Sequence, residues 1–281
     1  MNSEDIRSNR KKYIKSAIVL LIVITLLLFC NFQNKHLETT HYTYEAEQLG
    51  VDLDGYRIVQ ISDLHNAKFG KNNQKLVDRI RECAPDMIVL TGDLVDSNHT
   101  NVDRAVQFVN EIVKICPVYY VTGNHEYWLD TSEYENLMDG VASAGVIILD
   151  NQVVEISRGD AKFRLVGLDD KSLADGTLEA LLSDEKELTV VLAHEPQYFA
   201  RYAGTGVDLV LSGHAHGGQF RLPFVGGIVA PDQGFLPEYT AGEYYMNGTE
   251  MIVSRGLGNS VIPVRLFNYP EIVCVELVGM H

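Results

Sequence analysis

Cysteine is scarce in this 281-residue sequence: Cys30, Cys83, Cys116 and Cys274 lie singly, with no C-x-x-C pair. That argues against a disulfide framework and leaves free thiols, mostly buried. Positive charge is scarce too, outside the first 35 residues. There Arg7, Arg10, Lys11, Lys12, Lys15 and Lys35 face Glu4 and Asp5, while the remaining 246 residues hold 17 basic and 36 acidic side chains, a formal −19. A body that acidic repels long nucleic acids, so no nucleic-acid partner is expected. Small phosphorylated molecules remain eligible, because bound cations reverse the local sign. Internal repeats, low-complexity tracts and a second-domain boundary are all lacking. With 46% apolar and 22% charged residues, the chain can bury one sizeable core.

Charge is also missing from Ser16–Cys30, fifteen residues dense in Leu, Ile and Val. As a helix they span about 22 Å, short of the roughly 30 Å hydrocarbon core. Tyr13 and Phe32 extend the run at the interfaces, and Lys15 can snorkel. A cleaved signal peptide competes with an anchor, but Asn31–His36 offers no small-x-small cleavage site. The reading is a basic tail at 1–15, a transmembrane anchor at 16–32, a tether and first strand at 33–52, and a catalytic domain at 53–281. Because the basic cluster precedes the run, the N-terminus should stay cytoplasmic and the domain should lie outside a single-pass span.

From Tyr56 onward, short apolar runs alternate with amphipathic stretches. Tyr56–Ser62, Met87–Thr91 and Val118–Thr122 read as buried strands, and Asn72–Cys83 and Asn101–Ile115 as helices between them. Such a rhythm implies right-handed crossovers and parallel pairing. Val146–Leu149, Val153–Ser157, Phe163–Gly167, Leu188–Ala193, Leu209–Ser212, Met251–Ser254 and Ile272–Val278 supply further strands. The pattern favours an α/β fold with two sheets face to face, or one mixed sheet, over a single doubly wound sheet. Phe220–Tyr245, rich in Gly, Pro and aromatics, reads as a long rim loop.

Five motifs follow predicted strands in fixed order: Asp63-Leu64-His65, Gly92-Asp93-Leu94-Val95-Asp96, Gly123-Asn124-His125-Glu126, His194, and Gly213-His214-Ala215-His216. Asp63 to Asp93 is 30 residues and Asp93 to Asn124 is 31, so each falls at a strand's carboxyl edge, where α/β sheets build sites. On an extended backbone Asp63 and His65 would point the same way and grip one cation. Asp93 has lone pairs enough to bridge two cations, and Asn124 offers a neutral carbonyl. Asp96 can hold the His125 imidazole and fix its tautomer. Singly, each is an ordinary turn or loop residue; jointly they supply seven O or N ligands. Two cations roughly 4 Å apart lower the pKa of a shared water and polarise phosphate esters. Ligation by nitrogen and oxygen without thiolate suits Mn, Fe or Zn.

As a set, D-x-H, G-D-x-x-D, G-N-H-E, H and G-H-x-H resembles the calcineurin-like metallophosphoesterases over most of 56–278. Ser62–His65 and Gly213–Gln219 look most like the bacterial membrane-associated phosphodiesterase-like branch. The resemblance implies a four-layer αββα sandwich. It also implies one metal on Asp63, His65 and His216, a second on Asn124, His194 and His214, and Asp93 between them. His125, paired with Asp96, would contact the leaving oxygen or phosphate and act as an acid. A membrane-tethered hydrolase of phosphodiesters or pyrophosphate-linked head groups is expected. A phosphomonoesterase, a phosphoprotein phosphatase and a non-catalytic binding module are the alternatives. The partners implied are a phosphorylated small molecule or lipid head group, and the membrane.

Overall fold

The computed structural model describes residues 3–47, 49–170, 176–182 and 187–280. It opens with α1 (Ser3–Lys35), in which Lys12–Lys35 is long and apolar enough to cross a membrane. The expected anchor stopped at residue 32 and led into a tether. Instead the helix continues to Lys35, and after two residues β1 (Glu38–Ala46) begins, a first strand within the expected 33–52. The polar end of the helix stays helical because the body receives it. Gln33 is buried, its Nε2 donates to the Tyr269 hydroxyl at 3.4 Å, and its Oε1 accepts from the Phe267 N–H at 3.0 Å.

β2 (Tyr56–Ile61), α2 (Gln74–Glu82), β3 (Met87–Thr91), α3 (Val102–Ile112) and β4 (Val118–Val121) follow the predicted alternation. Asn101 caps α3 by accepting from the Arg104 N–H at 2.9 Å. α4 (Asn124–Tyr127), α5 (Thr131–Ser143) and β5 (Ile147–Ile148) complete the first half. In the second half come β6 (Gln152–Arg158), β7 (Ala161–Gly167), α6 (Thr177–Leu181), β8 (Thr189–Leu192), α7 (Phe199–Gly204) and β9 (Leu209–Ser212). Two short hairpins follow, β10 (Arg221–Leu222) with β11 (Gly226–Gly227), then β12 (Val229–Ala230) with β13 (Gly234–Phe235). β14 (Gly242–Met246), β15 (Thr249–Val253) and β16 (Glu271–Gly279) close the chain.

Two six-stranded mixed sheets result, ordered β1-β16-β2-β3-β4-β5 and β14-β15-β9-β8-β7-β6. Alternation along each strand explains why they stack. On β2, Ile58 joins the core between the sheets, whereas Val59 and Ile61 face the helices with Leu76, Val77, Phe108 and Leu137. On the other sheet Leu165, Val190 and Leu211 face inward, and Val166, Val191 and Val210 pack under α7 with Phe199 and Tyr202. The architecture is therefore helix, sheet, sheet, helix.

The stretch expected as a rim loop is more ordered than its composition suggests. Tyr239 packs edge-on against Phe199 and Tyr244, with centroids 5.8 and 5.1 Å apart, which nails the stretch to α7. Phe224, Phe235 and Tyr245 stay exposed. So the aromatics divide, some packing and some facing outward.

Gln60 staples the sheets together beneath the site. Its buried Nε2 donates to Thr91 Oγ1 at 2.9 Å and to the Ser212 carbonyl at 2.8 Å. Gln60→Leu keeps the bulk but strands both acceptors, and should cost about 1–3 kcal/mol. A thermal midpoint unchanged in detergent would show that the staple carries no stability.

Candidate metal centre

All five motifs meet where β2, β3, β4, β8 and β9 end. The ligand loops are short and mutually hydrogen-bonded. Asp63 N–H donates to the Gly92 carbonyl at 3.1 Å, His65 N–H to Asp93 at 3.0 Å, and Gly213 N–H to His194 at 3.0 Å. The expected extended backbone at Asp63-x-His65 is not what brings that pair together. Asp63 and His65 have φ of 50° and 43°, so each is a left-handed turn position just past the end of β2. Left-handed turns curl both side chains inward, where an extended strand would run past the site.

Asp63, His65, Asp93 and His216 form one buried cluster, and Asp93, His194 and His214 another. In the first, His65 Nε2 lies 3.1 Å from His216 Nε2 and 3.4 Å from Asp93 Oδ2, and His216 Nε2 lies 3.7 Å from Asp63 Oδ1. In the second, His194 Nε2 lies 3.4 Å from the same Asp93 Oδ2, 3.2 Å from His214 Nδ1 and 3.1 Å from Asn124 Oδ1. Donors held 2.0–2.2 Å from one ion sit roughly 3–3.6 Å apart. Lone pairs converging at such distances fit a divalent cation in each cluster. Asp93 Oδ2 faces both, because Oδ1 is occupied by the His125 N–H at 2.9 Å.

Neighbouring groups aim the ligands. His194 Nδ1 donates to the Thr91 carbonyl at 2.7 Å, turning Nε2 toward the cluster. His214 does the reverse: Nε2 meets Asp232 Oδ2 at 2.8 Å, which leaves Nδ1 facing inward. Asp63 accepts from Ser62 Oγ at 2.6 Å and from the His214 N–H. Gly92 and Gly123 are glycine by necessity. A Cβ on either would collide with His194, and one on Gly123 would also strike Asp93.

Electrostatics follow from burial. Burial pushes the His65 imidazole down to about 3, and burial with the Arg265 guanidinium lowers His216, so both stay neutral donors. Burial alone would raise Asp93, but the His194, His65 and His125 imidazoles outweigh it and hold the carboxyl below its usual range. Burial would lower His194, yet Asp93 raises it.

His125 sits in the site, but not in the pairing expected. Its Nδ1 is 3.8 Å from Asp96 Oδ1, beyond hydrogen-bond length. The Ser97 N–H donates to Nδ1 at 3.1 Å, and Asp96 Oδ1 is spent on the Asn98 N–H at 2.9 Å within the turn. An N–H donor at Nδ1 puts the ring proton on Nε2, which faces Ser260 Oγ at 3.1 Å.

Three contributors escaped the sequence reading. The Glu126 carboxylate, fully buried, accepts from the N–H groups of Gly123 and Asp93 (2.7 and 2.9 Å) and of Leu94 and Val95 (2.8 and 3.4 Å). Burial and Asp93 push it up to about 7 against the pull of those donors. Asp232 comes from the turn between β12 and β13, and Ser260 from the loop after β15; neither lies in a motif. Only Glu126 carried a signal, as the last letter of G-N-H-E.

Two variants test the construction. Asp93→Asn should drop bound metal from about two ions per chain to below one by elemental analysis, since one oxygen serves both clusters. Glu126→Ala, which removes no metal-facing atom, should cost roughly 3 kcal/mol or more by stranding four N–H donors, that of Asp93 among them. Wild-type unfolding behaviour in that variant would remove its clamping role.

Comparison with known proteins agrees with this geometry. The calcineurin-like phosphoesterase family model matches residues 56–218. The Bacillus subtilis metallophosphoesterase YkuE is 33% identical over 253 residues, covering 86% of this chain and 85% of that one. The Escherichia coli phosphodiesterase YaeI is 31% identical, covering 79% and 82% respectively. A Danio rerio transmembrane protein with a metallophosphoesterase domain is 29% identical across 83% of this chain and 55% of its own. The Thermus thermophilus SoxB sulfate thiohydrolase structure shares the fold, with a TM-score of 0.51 at 12% identity, covering 80% of this chain and 56% of that chain. The chain belongs to the calcineurin-like phosphoesterases, metal-dependent hydrolases of phosphoric esters.

Proposed function

We propose that the chain is a membrane-anchored, dinuclear phosphodiesterase acting on a diester or pyrophosphate-type bond of a small molecule or lipid head group. One observation carries the reading: Asp93 Oδ2 stands 3.4 Å from both His65 Nε2 and His194 Nε2, a shared oxygen between two nitrogen-rich clusters. Asp63, His65 and His216 would hold one ion, and Asn124, His194 and His214 the other. When bound, two such cations polarise the phosphoryl oxygens and lower the pKa of a nearby water. Mn, Fe and Zn all suit the donors.

The protein's own part is positioning and charge stabilisation. His125 is buried with its Nε2–H facing Ser260 Oγ at 3.1 Å, and a phosphoryl or leaving oxygen that reached this position would find a donor for its negative charge. The Ser97 N–H on Nδ1 leaves Nε2 as the nitrogen that donates. Trp128, exposed and tilted at 49° to the His125 ring with centroids 4.7 Å apart, sets an apolar face beside it. The anchor is α1, whose apolar side chains from Tyr13 to Leu28 face no protein. Relatives named phosphodiesterase and transmembrane protein support both halves of the reading.

His125→Ala should keep both ions by elemental analysis yet lose about 10²–10³ in turnover of an aryl phosphodiester on Mn-loaded protein. Undiminished turnover would end its role. Wild-type protein stripped by chelator should be inactive until Mn is restored; activity surviving the stripping would contradict the metal reading.

A further inference from the structure

α1 ends against the body, and its docking partner is the loop that walls the site. Asn34 Nδ2 donates to the Pro263 carbonyl at 2.8 Å, and the Arg265 N–H donates to Asn34 Oδ1 at 2.9 Å. Phe32 stacks edge-on against Tyr269 at 6.0 Å, and Phe29 against Phe267 at 6.1 Å. The same loop carries Ser260, which meets His125, and is braced from within by fully buried Arg265, whose Nη1 donates to the Arg255 carbonyl at 2.8 Å.

The depth of Phe29 has a consequence for that loop. A span needs about 20 residues to cross roughly 30 Å of hydrocarbon. Tyr13–Phe32 is 20 residues. Stopping at Leu28 would leave 16, about 24 Å, too short for the bilayer. So Phe29 must lie inside the hydrocarbon edge, about one turn below Phe32. Phe267 touches Phe29, is 55% exposed, and is therefore carried to the same depth.

Phe267 does not stand alone. The Arg221 N–H donates to the Leu266 carbonyl at 2.9 Å, which sets β10 beside it. The β10–β11 hairpin then presents Leu222, fully exposed Phe224 and Val225. The Leu236 N–H donates to Ile228 at 2.9 Å, adding exposed Phe235 and Leu236. Exposed apolar side chains clustered on turns that bind one another are unusual on a water-facing surface. The acidic body gains nothing from anionic lipid, so apolar contact has to hold this face at a bilayer.

We propose that Leu222, Phe224, Val225, Phe235, Leu236 and Phe267 form a patch inserted into the bilayer leaflet where α1 emerges, setting the site mouth at head-group level. This rests on the reading of α1 as an anchor. The patch is a second, monotopic contact beside the span, and it makes a membrane amphiphile the natural substrate.

Tryptophan reporters in the full chain test it, reconstituted in phosphatidylcholine nanodiscs with lipids brominated on the upper acyl chain. Each is read as added emission over the parent, which contains Trp128. Leu21→Trp reports the span, Phe224→Trp and Val225→Trp the patch, and Val51→Trp an exposed site remote from both. Phe224 has φ 66° at a hairpin tip, so Val225→Trp guards against a local folding defect. Leu21→Trp and both patch reporters should lose at least half of their added emission, and Val51→Trp none. If the patch reporters behave like Val51→Trp while Leu21→Trp is quenched, the patch is overturned and the anchor stands. If Leu21→Trp is also unquenched, the anchor fails and takes the patch with it.

Discussion

Three carboxylates, Asp63, Asp93 and Glu126, are buried almost completely where two sheets end, and the rest of the molecule is organised around tolerating them. An unpaired buried charge costs far more than any single contact returns. The protein answers largely with N–H groups, joined at Asp93 by the surrounding imidazoles. Glu126 gathers four, Asp63 takes the His214 N–H and the Ser62 hydroxyl, and Asp93 takes the His125 N–H. Arg265, the fully buried guanidinium nearby, spends its donors on the Arg255 and Gly258 carbonyls and on Asn259, so it braces a loop while its charge acts on Asp63. Negative charge at Asp63 and Asp93 is left over, directed at points where imidazole nitrogens also converge. A centre arranged this way is complete only with cations.

The same accounting explains what was legible. Strand cores and ligand identities are local: an apolar run followed by Asp, Asn or His reads the same in one dimension as in three. Spacing near 30 residues placed β2, β3 and β4 in parallel neighbours, and all seven proposed ligands meet. Non-local partners left no such trace. Asp232 reaches His214 from a hairpin 18 residues on, and Gln60 crosses between sheets to Ser212 over 152 residues. Asp96 shows the opposite failure. Sequence proximity and chemistry made it the natural partner of His125, but a turn closes on its carboxylate first and gives the imidazole to a backbone N–H.

The junction of α1 with the body is hidden from the sequence for a related reason. Polar residues after an apolar run look like a tether when nothing is known of what awaits them. Gln33 and Asn34 are polar because they hydrogen-bond to the 263–269 loop, more than 220 residues away. A flexible tether would let the domain roam above a membrane; a docked helix end fixes its orientation. The loop that receives the helix also faces His125 through Ser260, so the helix dock and the metal-centre imidazole share one short stretch of chain.

Backbone conformation joins these themes. Asp63, His65, Asp93, His214 and His216, five of the seven proposed ligands, have positive φ between 43° and 63°. Outside glycine, that region is tolerated best by Asn, Asp and His, and each occupancy stores of order 1 kcal/mol of strain. Those are also side chains that ligate divalent cations. Each strand must stop abruptly for its loop to curl over the sheet edge, and the residue that permits the turn is the residue that supplies the donor. Replacing such a ligand with a β-branched or aliphatic residue therefore removes a donor and strains the turn together. That double dependence is why short motifs at strand ends speak so directly about chemistry here, while the scaffold around them does not.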